Sequence, residues 1–413
     1  MSKPAVHPCL PSLTSRVLAG SAMLGLCLLA PPAAADPPHP LRLLPPAQAA
    51  ALAPLLRTHD MTLLEADAAG NMSQITVLSI SSAPPEILRD VVMQPERYGD
   101  FVRNMTLSQV KLLPDGSKEH RYQFSYRVAT VEGTHRFVSQ PAGVGAAPPI
   151  EVFDADPTSN GLRHYRWEFL PAGGGTVVVQ YGYTDLSRSG GVVEQLRSRF
   201  PTLDYGMGLV SQMTQVLAVK ARAEQLAGAP RPLPPPGQAD YRPLLERGVL
   251  VLIRTQGGRP TDMNLIERTP VPVPYLVQSA QDLSNWASYV PSVKKSQSLG
   301  SKDGMPLVEL EQSLPLLSFT TRYAVNAGPS SVDLAGMSGD LSGARLRLDV
   351  RADPAGGSQL VLRTSQAFDR ASFVIRQLYR LEPFFEYGIN VGLALLVHQG
   401  VKIRAAQLAH PPR

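Results

Sequence analysis

The sequence predicts an α+β protein built from two tandem copies of one domain, each a curved antiparallel sheet closed by a long C-terminal helix. Three observations carry this reading. The chain repeats itself, its middle segments alternate apolar with polar residues, and each half ends in a long helical pattern.

The repeat is clearest near the end of each half. Tyr205-Gly206 recurs as Tyr387-Gly388, Gln195-Leu196 as Gln377-Leu378, Pro201 as Pro383, and Gln225-Leu226 as Gln407-Leu408, all at an offset of 182. Earlier the offset drifts, to 183 for the turn at Pro171 and Pro354, 186 for Arg136-Phe137 and Arg322-Tyr323, and 188 for Tyr98 and Trp286. Short loop insertions after a duplication leave this kind of drift.

The strands follow from period-two alternation. In the first half Tyr122, Phe124 and Tyr126 alternate with polar residues, as do Tyr165, Trp167 and Phe169. Gly173-Gly174-Gly175 then turns the chain into Val177, Val179, Tyr181 and Tyr183. In the second half Leu346, Leu348 and Val350 alternate with Arg345, Arg347 and Asp349, and Leu360 and Leu362 follow across Gly356-Gly357. One apolar and one charged face predict a sheet wetted on one side. The closing helices run over Leu203–Leu226 and Phe384–Leu408, where apolar residues fall at helical spacing. A shorter helix precedes each at Pro201 and Pro383.

Residues 1–35 read as a cleaved secretory signal: Lys3 and Arg16, an apolar stretch from Val17 to Ala30, then Ala33-Ala34-Ala35. Both cysteines, Cys9 and Cys27, lie inside it. The mature chain would then have no disulfide, thiolate metal site or cysteine nucleophile. It would carry a net charge of +3 with no basic stripe, which gives nucleic acid no support and leaves only transient contact with a membrane surface open. Residues 36–54 are Pro- and Ala-rich and read as a flexible lead. Domain one spans 55–227, domain two 241–408, and 409–413 form a tail. The proline-rich linker 228–240 predicts a semi-stiff spacer holding the domains apart.

Each half opens on a further pattern. The first reads Ala83-Pro84-Pro85-Glu86, then Tyr98-Gly99-Asp100-Phe101; the second reads Pro272-Val273-Pro274, then Trp286-Ala287-Ser288-Tyr289. This resembles the opening of the START-like, or SRPBCC, superfamily, which includes coenzyme Q-binding proteins and polyketide cyclase/dehydrases. The resemblance implies a helix-grip fold with an apolar cavity between sheet and helix. It implies one of two activities: holding an apolar ligand, or proton-transfer chemistry on a bound polyketide. Pro274 stands where the pattern has Glu, so the second half leans on the internal repeat.

The residues favour holding. No phosphate loop and no Gly-x-Ser-x-Gly is present, and His59, His120, His135, His164 and His398 are not spaced as metal ligands. No metal or cofactor is expected. The aromatic side chains Tyr122, Phe124, Tyr126, Tyr165, Trp167, Tyr181 and Tyr183 are read as one ligand-lining face, covered by Met207 and Met213. In the second half Phe319, Tyr323, Phe368 and Asn390 take that place. His164 and Arg166 read as a solvated face, His398 as capped or partly exposed, and Asp185 as a turn residue. The expected function is an exported, periplasmic or secreted carrier of a lipid, quinone or sterol-like molecule. A cyclase/dehydrase would need a buried ionisable side chain, which the pattern does not single out. A partner-binding module would have closed cavities.

Overall fold

In the computed structural model, residues 39–410 are described except 68–69, 127–128, 142–146, 156–162, 185–202, 257–258, 315–316, 366–369 and 382–383. The leader, Asp185 and Phe368 therefore lie outside the described residues, as do the side chains of Tyr126 and Met207. The chain begins with two short helices, α1 (Pro46–Ala51) and α2 (Ala53–Leu56). The first unit follows: β1 (Asp60–Ala66), β2 (Met72–Ser81), α3 (Pro85–Val92), β3 (Met105–Leu112), β4 (Lys118–Tyr126), β5 (Ala129–Ser139), β6 (Ile150–Asp154), β7 (Arg163–Ala172), β8 (Gly175–Thr184) and α4 (Leu203–Ala227). The second unit repeats it: β9 (Gly248–Gln256), β10 (Arg259–Thr269), α5 (Val273–Gln281), β11 (Val293–Lys302), β12 (Met305–Leu314), β13 (Leu317–Gly328), β14 (Ser331–Gly339), β15 (Arg345–Ala352), β16 (Ser358–Ser365), α6 (Phe373–Leu381) and α7 (Phe384–Ala409).

Among the described residues all sixteen strands join one sheet, ordered β11-β12-β13-β14-β15-β16-β10-β9-β1-β2-β8-β7-β6-β5-β4-β3. The order reads the same from either end. Its centre is the antiparallel pair β1–β9, with Thr62 opposite Val251 and Leu63 opposite Leu250. The spacer reading is thereby corrected: the two units share a sheet, and Pro38–Arg413 is one unit. The linker does not hold them apart. It crosses the β7–β8 turn, where Pro232, Leu233 and Pro234 pack against Gly173–Gly175, and Gly237 N–H donates to the Pro54 carbonyl.

Both α3 and α5 start from a proline, Pro84 or Pro272, with ψ of 152° and 146°. Both caps are extended and each helix carries a proline in its first turn, Pro85 or Pro274, so the missing Glu in the second unit leaves the entry geometry intact.

The inner face of the sheet buries α4 and α7 in one core, in which Met213 and Val216 of the first helix meet the same cluster as Val391 and Val401 of the second. The outer face is not wet at its centre. Met61, Leu63, Leu250 and Leu252 point outward there and are covered by Leu44, Leu52, Leu55, Leu56 and Leu244. Residues 39–56 are therefore a packed strap, which corrects the flexible lead. Its leucines find a sheet face that a one-sided sheet would not offer. Farther out, Arg345 and Arg347 are exposed as predicted, whereas Asp349 of the same face is 8% exposed, covered by ion pairs with Arg347 and Arg363.

Two glycines of α7 make opposite predictions. A Cβ at Gly400 would lie 2.6 Å from the Tyr289 carbonyl oxygen, whereas one at Gly392 would meet nothing within 4 Å. Gly392→Ala is expected to stabilise by about 0.5–1 kcal/mol through helix propensity. Gly400→Ala is expected to cost about 1–3 kcal/mol because backbone must shift. Urea titration of both variants checks the sign.

Candidate functional site

The inner face of the first unit carries the aromatic wall. Tyr165, Trp167 and Phe169 of β7 are 5%, 3% and 1% exposed and face the core with Met213. Tyr122 is buried, with Phe124 beside it at a ring distance of 5.7 Å.

Tyr181 and Tyr183 do not belong to this wall. Facing residues of an antiparallel pair share a side of the sheet, and they stand opposite Arg166 and His164, while Tyr165 and Trp167 stand opposite Gly182 and Gln180. The outer set is covered by the strap. Tyr181 Oη accepts from Leu44 N–H at 3.1 Å, and His39 stacks on Tyr183 at 3.6 Å. His164, 6% exposed, turns Nδ1 to the His39 carbonyl (2.6 Å) and Nε2 to Glu151 (2.7 Å), and Arg166 pairs with Glu151 and Glu168. This face is buried by the strap, not solvated.

At one end of the wall lies a polar set that the sequence reading missed. Arg163 stands two residues before Tyr165, on the same side of β7. Its Nη1 donates to Tyr122 Oη at 2.5 Å and lies 3.9 Å from Asp154 Oδ1, and its backbone N–H donates to Asp154 Oδ2 at 2.7 Å. His135 faces Asp154 across β5–β6, with Nε2 3.6 Å from Oδ1, and its ring lies 4.4 Å from that of Tyr122. Tyr165 Oη meets Thr184 Oγ1 at 3.2 Å. The Asp154 carboxylate is fully buried, and the Arg163 and His135 side chains are 13% and 12% exposed.

Burial sets the charges. It pushes His135 well below the ordinary histidine range, with Arg163 and His120 adding to it, so the imidazole is neutral at neutral pH. Burial also works against the Arg163 cation, but Tyr122, Tyr165 and Asp154 more than compensate and raise it. The Tyr165 phenol is raised, first by burial. His120 is lowered to about 4 by burial. Its Nε2 lies 2.8 Å from Ser108 Oγ, whose own proton goes to the Pro95 carbonyl, so Nε2 carries the ring proton.

The second unit has no such set. Aligned on the hairpin pairs Tyr126–Ala129 and Leu314–Leu317, Leu310 stands where Tyr122 does and Tyr323 where His135 does, while Leu346 and Leu334, paired across β14–β15, stand where Arg163 and Asp154 do. Tyr323 Oη and Gln312 Oε1 approach at 3.4 Å, and Phe319 and Asn390 are buried. His398 is 2% exposed, not partly exposed. Its Nδ1 lies 3.2 Å from Glu267, which also binds Lys402 at 2.6 Å.

Chemically, the first unit combines an apolar wall with one buried cation, one carboxylate, a neutral imidazole and two phenols. That set can orient an oxygen-bearing end of an otherwise apolar molecule.

No family model matches the sequence, and no curated protein matches it. Solved structures do. The di-domain aromatase/cyclase StfQ of the steffimycin biosynthetic pathway is 13% identical over 80% of this chain and 99% of its own, with a TM-score of 0.28. The di-domain aromatase/cyclase BexL of the BE-7585A biosynthetic pathway is 11% identical over 82% of this chain and 99% of its own, at 0.30. A STAR-related lipid transfer protein fragment from Xanthomonas axonopodis is 15% identical over 37% of this chain and 94% of its own, at 0.26. Scores and identities this low say nothing of ligand or activity, and the fold rests on strand order and helix placement. By that topology the chain consists of two START-like helix-grip units in tandem, joined in a single sheet.

Proposed function

We propose that this protein is exported behind its leader and holds one apolar small molecule in its first unit, between the inner sheet face and α4. The molecule is of lipid, quinone or sterol-like class and carries an oxygen at one end. One observation carries the reading: the buried Arg163–Tyr122–Asp154 set at the end of an aromatic wall, whose three members correspond to Leu346, Leu310 and Leu334 in the second unit. A core needs no guanidinium, and burying one costs several kcal/mol unless its donors are used. A ligand oxygen uses them. The wall supplies the affinity: about 300 Å² of buried apolar ligand surface gives roughly 7 kcal/mol before binding costs. Between two membranes, such a pocket shields its cargo from water.

The test is native mass spectrometry of the protein purified gently from its own envelope fraction, followed by organic extraction. One ligand per chain is expected. Arg163→Leu should weaken its retention about 30-fold or more, the effect of removing one partner of a buried charged contact. Arg347→Leu, on the exposed outer face, should change nothing. A clean apo mass with no uptake from added lipid extract would overturn the reading in favour of a closed, partner-binding module.

His135 supports a second reading. A neutral imidazole beside Asp154 and Tyr122 can accept a proton from a bound ketone, as a cyclase or dehydrase requires. His135→Asn would then abolish turnover of a polyketone while leaving its binding intact. A carrier would show no turnover to lose.

A further inference from the structure

We propose that the first unit carries a second binding site, for a phosphate monoester, in a notch at the end of β2. There β1 has not yet begun to pair: its ladder with β2 starts at Met61–Leu78, whereas β2 runs on to Ser81 beside β8. The end of α2, the last turns of α4 and the linker surround the gap and leave a cavity of about 410 Å³, within the size range of small-molecule sites. Arg57, Lys220 and Arg231 line it with three cations, against one carboxylate, Glu224. That carboxylate is committed to the fold: its Oε1 accepts from Ser81 Oγ and from Ser82 N–H, both at 3.0 Å. Among the described residues none of the three cations forms an ion pair. Lys220 Nζ donates to Ser79 Oγ at 3.3 Å, and Ser79 gives its own proton to Asp60 Oδ1 at 2.6 Å. Asp60 is 7% exposed and also holds the Thr255 hydroxyl. Arg57 and Arg231 are exposed and free to close on an anion.

The repeat shows what this lysine lacks. Pro84 and Pro272 cap α3 and α5 at an offset of 188. The hydrogen bond from Thr176 Oγ1 to the Ala83 carbonyl returns as Ser358 Oγ to the Val271 carbonyl. Ser79 therefore corresponds to Glu267, and Lys220, at the offset of 182, to Lys402. In the second unit Lys402 is held by Glu267 at 2.6 Å. In the first unit a serine stands in place of that carboxylate, and the lysine lines a cavity. Arg57 corresponds to Leu245, which is buried.

Charge names the ligand class. Three cations less one carboxylate leave a formal excess of two positive charges around the cavity. A phosphate monoester carries about −1.5 to −2 at neutral pH and matches that excess, whereas a single carboxylate would leave a cation over. Two guanidinium forks suit phosphate oxygens, and a lysine adds a point charge. Leu56 and Ile80, also in the lining, offer contact to a short carbon skeleton. Both belong to the outer core under the strap, whereas Trp167 and Met213 belong to the inner one. The site is thus separate from the apolar pocket, and neither needs the other to be loaded.

The experiment has two arms, because the phosphate can belong to a soluble ester or to a lipid headgroup. The first is isothermal titration calorimetry of the whole protein with glycerol 3-phosphate, and with glycerol as the uncharged control. The second is flotation on vesicles of phosphatidylcholine with phosphatidic acid, whose headgroup is the same monoester. Binding in at least one arm is expected, with none to glycerol. Calorimetric binding assigns the site to a soluble ester, and flotation without it to a lipid headgroup. Lys220→Gln and the exposed double variant Arg57→Gln/Arg231→Gln should each weaken that binding about tenfold or more, the effect of losing charge-assisted hydrogen bonds. The double variant should keep the wild-type melting curve. Arg222→Gln, on the same helix but outside the cavity, removes an equal charge and should leave binding unchanged. Absence of binding in both arms would overturn the inference. So would binding that Arg222→Gln weakens as much as the cavity variants do, because the attraction would then be general charge.

Discussion

Glu65→Ala is expected to lose about 3–5 kcal/mol of unfolding free energy in a urea titration, the cost of breaking a buried ion pair from one side. Glu65 is fully buried at the end of β1. Arg247, the last residue before β9, grips it with a fork: Nε to Oε1 at 3.1 Å and Nη2 to Oε2 at 2.8 Å. Gln74 donates to Oε2 at 3.1 Å, and Arg42 of the strap approaches Oε1 at 3.2 Å. The pair therefore clamps three segments at the join between the units. Removing the carboxylate leaves the Arg247 side chain, only 13% exposed, with a buried charge and the two donors of its fork unmatched. Arg42→Ala should cost no more than about 1 kcal/mol, because that side chain is 66% exposed and its ion pair is screened. Replacing both partners by Leu and Met should recover much of the Glu65→Ala loss, since no orphaned charge then remains. A Glu65→Ala protein within about 1 kcal/mol of wild type, the range of an exposed pair, would refute the clamp.

Acid should destabilise this protein well above the usual carboxylate range. His120, His135 and His398 are held neutral, in each case chiefly by burial, His120 at about 4 and the others below 6.5. The unfolded chain binds their protons as pH falls through about 6.5, while the folded chain does not. The unfolded state then carries more protons, so stability falls with falling pH across that window. For His120 the loss is complete near 4. A shift of that size corresponds to about 3 kcal/mol for this residue alone, at about 1.4 kcal/mol per unit. Glu151, lowered overall by His164 and Arg166 against an opposing burial effect, adds its own loss below its ordinary range. Chemical denaturation at intervals from pH 7 to about pH 4 measures the slope, which linkage converts to a proton count. His120→Phe, which keeps the ring contacts to Tyr98 and Phe137, should lower that count by about one proton near pH 5. A stability flat between pH 6.5 and about pH 5 would show that these rings are protonated in the fold.

The repeat, the strands and the closing helices were legible because each leaves a periodic trace. The sides of the sheet were legible only where one side is polar. In β8 the residues from Gly175 to Gly182 are all buried, so alternation cannot tell inside from outside, and Tyr181 was placed with the wrong partners. The strap was missed for the same reason. Composition makes Pro- and Ala-rich segments look mobile, and the apolar face that receives Leu44 and Leu52 appears only once β1 and β9 pair. Arg163 could have been found. It shares the i, i+2 parity of Tyr165 and Trp167, and a cation in line with an aromatic face was the available signal. Asp154 could not, because nothing local aligns β6 with β7. The clamp Glu65–Arg247, 182 residues apart, is likewise visible only in three dimensions.

The β1–β9 seam has the symmetry of an isologous dimer interface, with the same strand meeting its own copy antiparallel. A lone ancestral unit would have exposed that strand as an open edge, and edges of this kind recruit a second chain. Duplication would have captured the homodimer within one polypeptide. Once the partners were covalently joined they no longer had to be identical, and one half was free to lose its polar set while the other kept it.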